Sequence, residues 1–167
     1  AVSTMGQIAL EAENLIFTRF EEGFGDWLMD RGSSKEPPAP VSRAGQVMPI
    51  TEAVVESAGR VAAKLRAALM VVATHSGRTA LVLSKQRCAT PTLALTADTE
   101  VAQAMALYWG VTPLHVPELF DTAQVLSFAD EWCRRQDLIQ PGDRLVVLRG
   151  AIPDDRRHNA LLVHEVE

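Results

Sequence analysis

The sequence predicts an α/β fold: a three-layer sandwich in which a five-stranded, mostly parallel sheet has helices on both faces. Short continuous apolar runs such as Leu69–Ala73 are typical of strands buried on both faces of a parallel sheet. The segments between these runs place apolar residues at helical spacing. The last strand is expected to be antiparallel, because only about ten residues without a helical pattern precede it and a right-handed crossover needs a dozen or more.

The chain is expected to form one domain in three parts. Residues 1–17 are apolar on one face and favour a helix, and residues 51–167 hold the α/β core. The chain begins at Ala1 rather than Met and directly in a helical pattern, which suggests a cut from a longer chain, with ordinary processing as the alternative. Residues 21–48 are expected to form a long variable loop, since they hold many residues that break regular structure: Gly23, Gly25, Gly32, Ser33, Ser34, Pro37, Pro38 and Pro40.

Strands and helices are predicted to alternate along the core until the last two strands. A helix with Thr51 as its N-cap runs to about residue 68, and further helices cover residues 80–86, residues 98–107 and a segment that opens at Thr122. Ligands of such sheets bind beyond the carboxyl ends of the strands, where the loops that begin at Thr74 and Gly150 are expected to converge. The predicted strands are Leu69–Ala73, residues 91–97, residues 112–116, Arg144–Arg149 and residues 160–166.

The composition excludes several classes of partner. The net charge is −5 and the 16 Lys and Arg residues are scattered, so nucleic acid is not expected as a partner. No run of about 18 apolar residues occurs, so no membrane span is expected. Cys88 and Cys133 lie in helical patterns without zinc-type spacing, which indicates reduced core thiols in a cytoplasmic protein. His115 and His164 stand alone on strands, so no metal site is predicted.

The polar segment after the first core strand has the chemistry of a phosphate-binding loop. Its hydroxyls, the free N–H groups at the start of the next helix, a glycine and one guanidinium supply hydrogen-bond donors and positive charge. The alternative is that Ser76 or Thr79 merely caps that helix, and the residues alone favour neither interpretation. The segment comprises Thr74, His75, Ser76, Gly77, Arg78 and Thr79.

Ordered motifs along the chain resemble the C-terminal domain of pyruvate kinases. The resemblance covers essentially the whole chain except residues 20–48, and the Thr-x-Ser-Gly-Arg-Thr segment with its neighbours is its most specific part. The motifs are Ala1-Val-Ser-Thr-Met5, Glu11-Ala-Glu13, Thr51-Glu-Ala-Val54, Leu69-Met-Val-Val-Ala-Thr-His-Ser-Gly-Arg-Thr79, Pro91-Thr-Leu-Ala-Leu-Thr96, Trp109-Gly-Val111 and Pro141-Gly-Asp143.

The resemblance implies a regulatory and assembly role. Pyruvate kinases transfer the phosphoryl group of phosphoenolpyruvate to ADP in glycolysis, using Mg²⁺ and commonly K⁺, in a catalytic barrel that precedes this segment. The barrel is absent from this chain, so the resemblance carries over no catalytic residue and no cofactor. In the family this domain binds phosphorylated allosteric effectors and contributes to a homotetramer. The implied partners are an effector metabolite, the barrel and further copies of the chain.

The family's effector loop matches residues 74–79 position by position, except that His75 departs from the lysine often found in animal enzymes. In a possible second loop, Asp154 and Asp155 replace Gly and Ser and would repel phosphate. Val125 stands where animal and fungal enzymes place an arginine for a second phosphate. The resemblance therefore favours a monophosphate over fructose 1,6-bisphosphate. The second loop comprises Arg149, Gly150, Pro153, Arg156, Arg157 and Asn159, of which Gly150, Pro153 and Asn159 match the family.

Two other functions stay open. The domain could be a non-catalytic module for subunit assembly with a vestigial effector loop, and Phe128 and Trp132 could belong either to the core or to a subunit contact. A free-standing α/β enzyme is the weakest interpretation, because no nucleophile, base and orienting partner can be placed together.

Overall fold

The computed structural model describes residues 2–21, 49–117, 122–149 and 160–167. The chain divides into two compact units, Ala1–Arg43 and Ala44–Glu167. In the first unit the described element is helix α1, Val2–Glu21. This helix covers residues 2–17 of the one predicted for residues 1–17 and continues to Glu21, because the first helix-breaking residue, Gly23, comes only later. Apart from Glu21, the predicted loop at residues 21–48 lies outside the described residues.

The second unit contains a five-stranded sheet and four described helices. The strands lie in the order β3-β2-β1-β4-β5. The strands are β1 Leu69–Ala73, β2 Thr92–Thr96, β3 Val111–His115, β4 Arg144–Arg149 and β5 Ala160–Glu165, and the helices are α2 Pro49–Leu65, α3 Arg78–Gln86, α4 Thr99–Met105 and α5 Thr122–Arg135.

The strand pairing confirms the mostly parallel sheet with an antiparallel last strand. The central strand β1 pairs in parallel with β2 on one side, where Val71 lies opposite Leu93, and with β4 on the other, where it lies opposite Val147. Strand β3 continues the sheet in parallel beyond β2. Strand β5 runs antiparallel to β4, as the short connection predicts.

One apolar cluster lies on each face of the sheet, so the predicted three-layer arrangement is confirmed. Alternate residues of β1 point to opposite faces, as in any strand. Met70 packs in the cluster that also contains residues of α2, α3 and α4. Val71 packs in the other cluster, with Val125 and Ala129 of α5. Strand β2 is buried along its whole length, which explains the apolar residues 93–95 between its two terminal threonines.

The prediction of Thr51 as the N-cap of α2 is wrong. The helix begins at Pro49, a residue favoured at the first helical position because proline lacks the N–H that is unpaired there anyway. Thr51 is instead buried inside the first turn. The helix also ends three residues before the predicted end near residue 68, since Arg66 adopts a left-handed conformation with φ of 49°.

Two further helices end in the same way without a glycine. Arg87 follows α3 with φ of 53° and Asp137 follows α5 with φ of 55°. The guanidinium of Arg87 lies 4.9 Å from the ring centre of Trp109, a cation–π contact between the turns that follow α3 and α4. Cys88 therefore lies beyond the end of α3. The prediction that Cys88 lies in a helix is wrong.

Neither cysteine forms a disulfide, and Cys133 is fully buried in the core. Burial, with a smaller contribution from the neighbouring Asp130 carboxylate, raises the pKa of the Cys133 thiol to about 11. Burial also raises the pKa of the Cys88 thiol. Because the thiol pKa is higher in the folded than in the unfolded chain, the unfolded chain loses this proton first as the pH rises.

We therefore expect the free energy of unfolding to decrease as the pH rises from about 9 to about 11. At lower pH the thiol is protonated in both states, so it adds nothing to the pH dependence of this free energy. Urea unfolding at about pH 8 and pH 10 should show a smaller decrease in Cys133→Ala than in the unchanged chain. Equal decreases in the two proteins would contradict the assignment to Cys133.

None of the helices in the described ranges combines the length and the apolar character that a membrane crossing requires.

Candidate functional site

The predicted phosphate loop lies at the carboxyl ends of three neighbouring strands, which are β2, β1 and β4. Ala73 ends β1 and lies opposite Leu95 of β2, while Val72 lies opposite Leu148 of β4. The Thr74 amide donates a hydrogen bond to the Leu95 carbonyl at 2.8 Å, which holds the start of the loop against β2. Residues 74–79 therefore begin where ligands of open α/β sheets bind.

A side-chain hydrogen bond shapes this loop from within. The Gly77 amide donates to the Thr74 hydroxyl oxygen at 3.1 Å, and this bond is buried. Such a bond from a main-chain amide to a threonine two or three residues earlier is typical of tight polar turns. The Gly77 amide is therefore engaged within the loop, and the amides that follow it lie at the start of α3.

Gly77 is required by both its conformation and its surroundings. Its φ is 70°, in the left-handed region that favours glycine. A Cβ atom at this position would lie 3.1 Å from Cγ of Met105 and 3.3 Å from Cγ1 of Val101. The loop thus packs directly on α4, and the glycine permits this close approach.

The loop residues fall into two groups by exposure. Thr74, Gly77 and Thr79 are buried, with 6% exposure of Thr74 and 4% of Thr79. His75, Ser76 and Arg78 are exposed. The side chains that can reach a ligand from solvent without rearrangement are therefore the imidazole, one hydroxyl and one guanidinium.

The start of α3 is not capped by the side chains that the alternative interpretation requires. Gly77 occupies the N-cap position and has no side chain that could accept from the first amides. Within the described parts of the chain, Ser76 makes no hydrogen bond, and Thr79 lies inside the helix. The first intrahelical bond after the loop runs from the Leu81 amide to the Gly77 carbonyl at 3.0 Å. The positive end of the α3 dipole therefore lies next to the loop without a side-chain cap.

An open cleft of about 550 Å³ lies beside this loop. His75 lines it on one side, and the turn that follows β2 lines it with Ala97, Asp98, Thr99 and Glu100. The Asp98 carboxylate accepts from the amides of Glu100 at 2.8 Å and Val101 at 3.1 Å, which confirms Asp98 as an N-cap of α4. From the sequence, Asp98 or Thr99 is predicted only as a helix cap. No feature of the sequence predicts that the strand order places this turn beside His75.

Of the predicted second loop, Arg149 lies within the described residues. Gly150, Pro153, Arg156, Arg157 and Asn159 lie outside the described residues, as do Asp154 and Asp155. Arg149 ends β4 and is half-buried, next to the carboxyl end of β1. Val125 is only 6% exposed and packs in the cluster beneath α5, so its side chain is part of the core.

Among the residues that the structure describes, no three His, Cys, Asp or Glu side chains lie close enough to hold a metal ion. His115 instead makes a hydrogen bond through Nε2 to the Ala97 carbonyl at 3.1 Å, which helps to fix the turn that lines the cleft.

The chain is similar to pyruvate kinases in sequence. The family model described as "Pyruvate kinase, alpha/beta domain" matches residues 52–164. The pyruvate kinase of Geobacillus stearothermophilus is 29% identical in an alignment of 167 positions that covers 99% of this chain and 26% of that protein. The pyruvate kinase of Clostridium acetobutylicum is 31% identical over 151 residues, 90% of this chain and 28% of that protein.

The fold is similar as well. A crystal structure of a pyruvate kinase from Cryptosporidium parvum superposes with a TM-score of 0.66 at 26% identity, covering 77% of this chain and 24% of that one. The chain thus spans about a quarter of the length of the relatives and structures that it matches. Since the family model covers more than half of the residues, the chain belongs to the family of the pyruvate kinase alpha/beta domain.

Proposed function

We propose that this domain binds a phosphorylated metabolite at residues 74–79 and thereby regulates a pyruvate kinase of which it is the C-terminal part. The parent enzyme would transfer a phosphoryl group from phosphoenolpyruvate to ADP in the cytoplasm, with Mg²⁺ and K⁺ bound in its barrel. The barrel and further copies of the chain, in a homotetramer, are the proposed partners. The family membership supports this assignment, since the related proteins are pyruvate kinases.

The observation that carries the proposed phosphate site is the pairing of an uncapped helix start with two exposed polar side chains. The start of α3 has no side-chain cap, and Ser76 and Arg78, on either side of the N-cap residue, are exposed. None of the ion pairs within the described residues involves the Arg78 guanidinium. A phosphate placed there would accept hydrogen bonds from main-chain amides and from a guanidinium, which are strong partners for an anion.

A second arginine, Arg149, lies at the same end of the sheet as the loop. Arg149 ends β4, the neighbour of β1, at the edge of the sheet from which residues 74–79 emerge. The described residues therefore place two guanidinium-bearing residues at the carboxyl edge, one on the loop itself and one on the adjacent strand. This arrangement supports an anionic ligand rather than a neutral one.

A subunit-assembly module remains the second candidate, and one observation favours it. Strand β5 is an edge of the sheet, and its Leu162 and Val163 side chains, on opposite faces, are 40% and 39% exposed. Exposed apolar side chains on an unpaired strand edge are typical of surfaces that pair with another chain. Sedimentation of the purified chain at several concentrations tests this role, and a monomer at all of them would contradict it.

Calorimetric titration with fructose 6-phosphate tests the phosphate site. We expect Arg78→Ala to weaken binding about tenfold and Ser76→Ala to weaken it several-fold, because each change removes one hydrogen-bond donor and the arginine also removes a charge. Arg135→Ala is the matched control. Arg135 is an exposed arginine at the C-terminal end of α5. This end of the helix leads into the start of β4, so it lies on the side of the amino ends of the strands, away from residues 74–79.

The control should bind as tightly as the unchanged chain. Unchanged affinity in both Arg78→Ala and Ser76→Ala would contradict the site. An equal loss in Arg135→Ala would show that the protein responds only to its net charge.

A further inference from the structure

We propose that the first turn of α4 is the specificity filter of this site: the carboxylates of Asp98 and Glu100 exclude ligands that carry a second phosphate. This proposal rests on the proposed phosphate site at residues 74–79, and it names the class of ligand, a metabolite with one phosphate and a neutral, hydroxyl-bearing body. The two carboxylates lie at the start of α4, which belongs neither to the phosphate loop nor to the predicted second loop.

Two contacts hold the phosphate loop against β2 and against α4. The Thr74 amide bonds the Leu95 carbonyl at 2.8 Å, one residue before the end of β2. Gly77 packs so closely on α4 that an added Cβ would lie 3.3 Å from Val101 and 3.1 Å from Met105. The loop and the turn are therefore fixed neighbours, and the part of a ligand that extends from the loop over His75 enters the cleft lined by Asp98 and Glu100.

Hydrogen bonds fix the shape of the turn itself. The Asp98 amide donates to the Thr96 hydroxyl oxygen at 3.2 Å, and His115 binds the Ala97 carbonyl at 3.1 Å. The Asp98 carboxylate accepts from the amides of Glu100 and Val101. The start of α4 is thus already occupied by a carboxylate, in contrast to the start of α3, and offers no cradle to a second phosphate.

Glu100 adds a second negative charge beside the first. It is exposed, it lines the cleft, and none of the ion pairs found within the described residues includes it. A phosphate in this cleft would carry about two negative charges next to two carboxylates, with solvent between them. Sugar hydroxyls, by contrast, can donate hydrogen bonds to a carboxylate, which accepts but does not donate.

The size of the effect follows from Coulomb's law in water. Two like charges separated by about 8 Å repel weakly, but a dianion near two carboxylates sums four such pairs, and the ions of physiological salt reduce the total by roughly half. The sum corresponds to about a fivefold discrimination against the second phosphate at moderate salt, and more at low salt. High salt should suppress it.

Calorimetric titrations with fructose 6-phosphate and fructose 1,6-bisphosphate provide a ligand pair that differs by one phosphate. The test variant is D98N/E100Q, because asparagine keeps the N-cap and glutamine keeps the side-chain size while both lose the charge. We expect the ratio of bisphosphate to monophosphate affinity to be about fivefold higher in this variant than in the unchanged chain at moderate salt. At high salt this difference should shrink, because screening of the two carboxylates raises the ratio of the unchanged chain.

Glu131→Gln is the matched control, since Glu131 is exposed on α5, on the other face of the sheet from α4 and paired with Arg135. An equal change in the ratio for this control, or no change in D98N/E100Q while fructose 6-phosphate still binds through Arg78, would overturn the filter and leave the phosphate site standing. Failure of the unchanged chain to bind either sugar phosphate would overturn both proposals.

Discussion

Replacing Gly77 by alanine is expected to lower the free energy of unfolding by about 3 kcal/mol. About half of this comes from the left-handed conformation at φ of 70°, which costs a non-glycine residue roughly 1–2 kcal/mol. The rest comes from crowding, since the new Cβ would lie 3.1 Å from Cγ of Met105 and a packed core resists added atoms at a cost of about 1–3 kcal/mol.

Gly110→Ala separates these two costs. Gly110 has φ of 68°, but an added Cβ there would meet no atom within 4 Å. This control should therefore lose only the conformational part, about 1.5 kcal/mol. Urea unfolding of both variants gives the comparison. Equal losses would show that the loop does not pack on α4 as closely as described, which would also weaken the proposed specificity filter.

Replacing Leu93 by alanine is expected to have an effect of similar size, about 3 kcal/mol. Leu93 is fully buried in β2, between β1 and β3, and packs in the cluster beneath α5. Removal of a large side chain from such a position loses its transfer free energy and leaves a cavity, at a cost of about 2–5 kcal/mol.

Leu162→Ala is the matched control for this change. Leu162 lies on the edge strand β5 and is 40% exposed, so its truncation should cost about 1 kcal/mol or less. Thermal or urea unfolding measures both variants. A cost at Leu162 that equals the cost at Leu93 would mean that the edge strand is covered, as a subunit contact would cover it.

The sheet could be predicted from the sequence because burial leaves a direct compositional trace. A strand such as β2, which is buried at every position and followed by a capped helix, has few alternatives. The antiparallel direction of β5 follows from the length of its connection alone.

The helix ends could not be predicted in the same way. Arg66, Arg87 and Asp137 end helices in the left-handed conformation, and none of these residue types signals such an end. The start of α2 at Pro49 shows the opposite case, since Thr51 has the stronger capping propensity and yet lies buried within the helix. At Thr51, burial within the helix outweighs the local preference of threonine for the N-cap position.

The candidate site, too, could be predicted from the sequence only in part. The donors of residues 74–79 can be recognised from their chemistry, but which of them reach solvent depends on how the loop packs. Glu100 has no sequence feature that marks it, because its role depends on the order of strands that brings the turn after β2 next to His75. Proximity between separate loops is a property of topology, not of local pattern.

A titration of the ¹⁵N-labelled chain with fructose 6-phosphate, followed in two-dimensional ¹H–¹⁵N spectra, tests the proposed phosphate site most directly. We expect saturable shifts of the amides of Ser76, Arg78 and Ala80, at the loop and the start of α3, and no comparable shifts along the edge strand β5. Absence of saturable shifts at residues 74–80, or shifts centred on β5, would contradict the site.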